Sequence, residues 1–159
     1  MSVGLRNPGS ICRAAGIGLR AVAGAAFAMA AFSSPAAAHH SFAMYDRNQE
    51  LSFTGRLTRF IPGPNHAQLI FELIDEAGEP VVDGDGQPIA WGVETGPAAQ
   101  IASQGITVAA FPVGTIIAVS LNPLRDGRTF GVLAGAVIRC GTELPAGGCT
   151  AETGESFGR

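Results

Sequence analysis

Ile89-Ala-Trp-Gly-Val-Glu-Thr-Gly-Pro-Ala-Ala-Gln-Ile-Ala-Ser-Gln-Gly105 changes its period half-way along. Ile89, Trp91 and Val93 alternate with small neighbours, the two-residue repeat of a strand with one buried face. From Thr95 the alternation stops. Thr95 or Gly96 can cap a short helix that takes Pro97 into its first turn, runs Ala98–Ser103 and stops at Gly105. One strand handing over to one short helix divides the remaining strands into a group before it and a group after it.

Outward from this stretch, Leu51, Phe53, Gly55 and Leu57 alternate with Ser52, Thr54, Arg56 and Thr58, and Ala67, Leu69, Phe71 and Leu73 repeat the pattern. Between the second and third strands lies a polar turn region, Asp75–Gln87, punctuated by Gly78, Pro80, Gly84 and Gly86. After the helix, Thr115–Leu121 and Phe130–Arg139 read as strands joined by a turn at Asn122–Arg128, with Asp126-Gly127 as its turn dipeptide. Three strands, a helix and two strands is the order of an OB-type barrel. The expected class is therefore all-β with one short helix, a small five-stranded antiparallel OB-like barrel. Gly55, Gly92, Gly131 and Gly135 suit strands that bend at barrel corners. The last ten residues read as a loose tail.

Residues 1–20 carry Arg6, Arg13 and Arg20 and no acid, Ala21–Phe32 is apolar, and Ser33-Ser-Pro35 precedes Ala36-Ala-Ala38. This is the order of a cleavable signal peptide, cut after Ala38. Twelve residues rise about 18 Å as a helix, short of a bilayer core, so no transmembrane anchor is expected after cleavage. The expected division is a signal peptide at 1–38, a barrel domain at 39–139, and a disulfide-closed loop and tail at 140–159. Every one of the 10 basic residues in the sequence is Arg. Removal of the leader leaves seven of them against 13 acidic residues, a net charge of −6. Nucleic-acid grooves need clustered positive charge, so no nucleic-acid partner is expected. Cys12 leaves with the leader. Cys140 and Cys149 remain, an even pair that reads as a disulfide in the oxidising periplasmic or extracellular compartment to which a signal peptide leads.

His39-His-Ser-Phe-Ala-Met-Tyr-Asp46, Phe53-Thr-Gly-Arg-Leu57, Asn65-His66, Trp91-Gly-Val-Glu94 and Pro123-Leu-Arg-Asp-Gly127 together resemble the exported bacterial family catalogued as domain of unknown function 6152. Its members begin His-His-Ser-Phe directly after the signal peptide. Two departures stand out. Ile61-Pro-Gly-Pro-Asn-His66 replaces the family's usual Trp-Thr-Asn-Pro-His, and Gly105-Ile106 stands where the family has Gly-Trp. The resemblance implies fold and export and brings no activity with it.

The chain has three His. Cleavage after Ala38 would give His39 a free α-amine beside its imidazole, two nitrogens able to chelate one metal. With His66 as third donor this makes a T-shaped copper site of the histidine-brace kind; His40 is an alternative ligand, and Met44 suits Cu(I). The competing expectation is that His66 only hydrogen-bonds a loop. Trp91 and Glu94 should lie on opposite strand faces, Trp91 in the core and Glu94 near the helix cap. A lone Glu94 lacks the second acid or base of general acid–base work. No Gly-x-Ser-x-Gly elbow or phosphate loop is present. Asp83-Gly-Asp-Gly86 lacks the later Glu of a calcium loop and reads as a hairpin tip. Arg125 and Arg128, if joined at one barrel edge by Arg56 and Arg59, would hold an anionic ligand. The expected function is a non-enzymatic exported domain binding copper through its mature N-terminus. The alternative is a metal-free accessory module that binds a small ligand or an unidentified periplasmic protein.

Overall fold

The structure, a computed structural model, describes residues 42–158 together with Met1. Ala38, His39 and His40, the expected cleavage site and amino-terminal ligands, lie outside the described residues. After a 3-10 turn at Phe42–Met44 come β1 (Leu51–Ile61), β2 (Gln68–Leu73), β3 (Ala90–Glu94), the helix α1 (Ala98–Ser103), β4 (Ile116–Pro123), β5 (Phe130–Arg139) and β6 (Glu155–Phe157).

The alternating residues select the strand faces. Leu57, Leu69, Phe71, Val93, Ile117, Leu121 and Val137 are all fully buried and form one core with Val119, Ile101, Ile106 and Phe111. Long β1 serves two partners: Leu51–Arg56 pairs with β4 and Gly55–Ile61 with β2, with a register shift between Leu57 and Arg59. That bulge turns the strand from one side of the barrel to the other. β2 pairs with β3, and β4 with β5, both antiparallel. The ring closes between β3 and β5, where Gly92, Val93 and Glu94 face Phe130, Gly131 and Val132.

That closing pair is parallel, so the expectation of an antiparallel barrel needs correction at one seam. The physical reason is parity: β1-β2-β3-β5-β4 is a closed ring of five strands, and an odd number cannot alternate in direction all the way round, so one neighbouring pair must run parallel. Close approach is enforced here by glycine. A Cβ on Gly92 would stand 2.3 Å from the Phe130 ring, and one on Gly131 2.6 Å from the Asn122 carbonyl oxygen.

The carboxyl end departs further from expectation. Residues 155–157 are not a loose tail but a sixth strand on β5, anchored by Phe157 against Phe111 with ring centroids 5.0 Å apart. The Arg139 guanidinium lies over both rings, 5.8 Å from the Phe111 centroid and 4.9 Å from that of Phe157, donates to the Ala110 carbonyl at 2.7 Å and pairs with Glu155 at 2.6 Å. Cys140 and Cys149 form the expected disulfide, and Cys149 is buried with Ile74 and Ile116 in a small second core outside the barrel. Asp75 and Asp83 each accept two backbone N–H bonds in successive turns that end on left-handed Gly78 and Gly86, making Asp83–Gly86 the expected hairpin tip.

Candidate functional site

Three segments far apart in sequence deliver polar side chains to one end of the barrel. Two backbone bonds fix the first pair: Thr95 N–H donates to the Ala67 carbonyl at 2.8 Å, and Ala67 N–H donates to the Gly96 carbonyl at 3.0 Å. These extend the β2–β3 ladder past Gln68 and Glu94, and so bring His66 beside the end of β3. His66 Nδ1 lies 3.3 Å from Glu94 Oε1 and 3.4 Å from the Thr95 carbonyl oxygen. Both neighbours are acceptors, so in the neutral ring the proton sits on Nδ1 and the lone pair on Nε2.

Tyr45 arrives from the amino-terminal segment through an isolated bridge to Leu124 and is only 2% exposed. Its hydroxyl lies towards the Glu94 carboxylate. Burial first, then the Glu94 charge, push the phenol up to about 12, with Arg128 acting in the opposite direction. Glu94 thus links a buried phenol to a half-exposed imidazole, its own side chain 15% exposed. Beside it opens a cleft of about 410 Å³, lined by Phe42, His66, Glu94, α1, Ile106 and Val132-Leu133 of β5.

Several expectations change against this geometry. Glu94, at the end of β3 and before the helix as expected, is turned to His66 and is not a free carboxylate in solvent. The helix N-cap is Pro97 with no side-chain bond, and Thr95 turns its hydroxyl to the Ala67 carbonyl at 3.1 Å instead of capping. Trp91 is half-buried, its ring tilted 38° to that of Phe53 with centroids 4.5 Å apart at the margin of the core, while Val93 fills the interior. Arg125 pairs with Asp46 at 3.4 Å and Arg128 with Asp126 at 2.9 Å, both largely exposed around the left-handed Gly127. Arg56 is opposite Ile116 at the far end of β4, donating to the Thr142 carbonyl, so the four Arg are not gathered at one edge. Met44 is exposed and takes no part in the cleft. Sequence reasoning missed the Tyr45–Glu94–His66 chain. Its only trace in the sequence is that each member belongs to a different one of the motifs shared with the resembled family.

No group of three or more metal-ligating His, Cys, Asp or Glu side chains occurs among the described residues. None of their helices is long and apolar enough to cross a membrane. Comparison with curated proteins gives no match. Among solved structures the chain is similar to the mitochondrial single-stranded DNA binding protein Rim1 of S. cerevisiae, at 14% identity and a TM-score of 0.42, covering 60% of this chain and 96% of that one. A family profile matches residues 26–134, which takes in Tyr45, His66 and Glu94 and stops before the disulfide and β6, and the chain belongs to that family, described as Family of unknown function (DUF6152).

Proposed function

We propose that the chain is an exported, periplasmic, non-enzymatic domain that takes up one copper ion at the mouth of this cleft. His66 Nε2 would be one donor, and the α-amine and imidazole of His39, freed by cleavage after Ala38, would be the others, with His40 as the alternative imidazole. The observation that carries the reading is the setting of His66 Nδ1 between two acceptor oxygens. A metal-bound imidazole usually gives its other N–H to a carboxylate or carbonyl, which orients the ring and raises its basicity. Here Nδ1 has both acceptors, Glu94 at 3.3 Å and Thr95 at 3.4 Å.

Reach supports the same reading. Phe42 lines the cleft beside His66, and His39 precedes it by three residues, a span of at most about 11 Å of extended chain. Imidazole and amine nitrogen suit Cu(II), and both must be unprotonated to bind, so uptake should weaken as pH falls through the imidazole range. The experiment is Cu(II) titration of the exported protein by calorimetry and EPR, together with mass spectrometry of its amino terminus. A nitrogen-rich EPR signal that is lost in His66→Ala and in His39→Ala is expected. Absence of uptake, or equal uptake by both variants, overturns the copper reading and leaves the metal-free accessory module.

A further inference from the structure

We propose that the cleft between α1 and β5 is a binding site for a small organic ammonium ion, whose apolar body lies along Ile101, Ile106, Val132 and Leu133 while its charge meets Glu94. The inference is separate from copper uptake. It rests on the part of the cleft that lies beyond His66.

The shape is that of a ligand site. A volume of about 410 Å³ falls in the range that holds a small molecule, and such sites combine apolar walls with a few converging polar groups. Ile101 and Ile106 are almost fully buried beneath it, so the wall is fixed by the core. The polar groups are Glu94, His66, and the carboxamides of Gln100 and Gln104 at the helix side.

The charge selects the ligand. Among the described residues no Arg lines the cleft, and Glu94 is its one carboxylate. Among the described lining residues an entering anion meets the Glu94 carboxylate and no Arg to offset it. An ammonium finds a carboxylate set against apolar walls, where low polarity strengthens the attraction. Glu94 has room for it. An ionised carboxylate offers about four lone-pair sites, and His66 Nδ1, 3.3 Å from Oε1, takes up one. The glutamine carbonyl oxygens can accept further N–H bonds. A neutral alcohol of the same shape keeps the apolar contact and loses the ion pair.

The test uses the purified protein freed of metal with EDTA, titrated with 2-phenylethylammonium and followed by methyl NMR. Its neutral and anionic counterparts are 2-phenylethanol and 3-phenylpropionate. The expected result is saturable shifts at Ile101, Ile106, Val132 and Leu133, at least about tenfold weaker binding of the alcohol, and no saturation with the carboxylate. Glu94→Gln should weaken the ammonium by a similar factor. Leu133→Phe, which fills the cleft and leaves Glu94 in place, should abolish binding, and it carries the test if Glu94→Gln fails to fold. Equal binding of alcohol and ammonium, unchanged affinity in folded Glu94→Gln, or shifts elsewhere on the surface would overturn the assignment. Copper uptake is read separately, by EPR, so neither failure can be mistaken for the other.

Discussion

Tyr45 is the only Tyr in the chain, so its ionisation can be followed at 295 nm with no other phenol contributing. The native hydroxyl should titrate near 12 instead of near 10, because burial and the Glu94 carboxylate both disfavour the phenolate. The thermodynamic consequence has a definite sign. Between the two values the unfolded chain loses its phenolic proton first, so Tyr45 contributes stability that is complete below pH 10 and is lost as pH rises towards 12. Two pH units correspond to about 2.7 kcal/mol at most. Solvent at the barrel mouth screens part of the Glu94 contribution, which leaves roughly 1–2 kcal/mol. Urea unfolding of metal-free protein, followed by the single Trp91, should therefore show the parent losing about that amount relative to Tyr45→Phe between pH 8 and pH 12. Glu94→Gln should move the 295 nm midpoint part of the way back, since burial remains. A parent midpoint near 10, or a stability difference between parent and Tyr45→Phe that does not depend on pH, would refute the linkage between Tyr45 and Glu94.

The barrel itself is open to simpler tests. Leu121 is fully buried between β1 and β5, and Leu121→Ala should cost about 3 kcal/mol in urea unfolding. Gly131→Ala should cost about 1–3 kcal/mol, because the new Cβ meets the Asn122 carbonyl, whereas Gly84→Ala, with nothing within 4 Å, should be near neutral; similar costs for both would discount the close approach. Cys140→Ser/Cys149→Ser opens a loop with a sequence separation of 9 and should lower stability by about 2–3 kcal/mol relative to the oxidised parent, and dithiothreitol treatment of the parent should lower it by a similar amount.

The strands were legible in the sequence because a barrel strand has one buried face, and burial writes a two-residue repeat. Leu57, Phe71, Val93 and Leu121 all stand on that repeat and all lie in the core. The helix was legible too, as a break in period at Thr95 and a stop at Gly105. The β3–β5 seam was not, because periodicity says which face is buried and nothing about which distant strand lies alongside. β6 escaped for a related reason: Glu155-Ser-Phe157 is too short to show a period, and its one apolar anchor finds Phe111 only in three dimensions. At the site, Glu94 was placed on the correct face of β3 relative to Trp91, but its partners were hidden. Hairpin register brings His66 to it, and a bridge from an irregular segment brings Tyr45.

The parallel seam between β3 and β5 also constrains the order of assembly. β1, β2 and β3 follow one another as antiparallel neighbours and can pair as soon as they exist, whereas β3 cannot meet its second neighbour until α1, β4 and the first residues of β5 have been delivered. Non-local closures of this kind carry the largest entropy cost and set the slow step of folding. Glu94 lies on that seam, opposite Val132. A chain supplied from its amino terminus would therefore complete the site only at closure, and ligand binding would report the finished barrel and no earlier form.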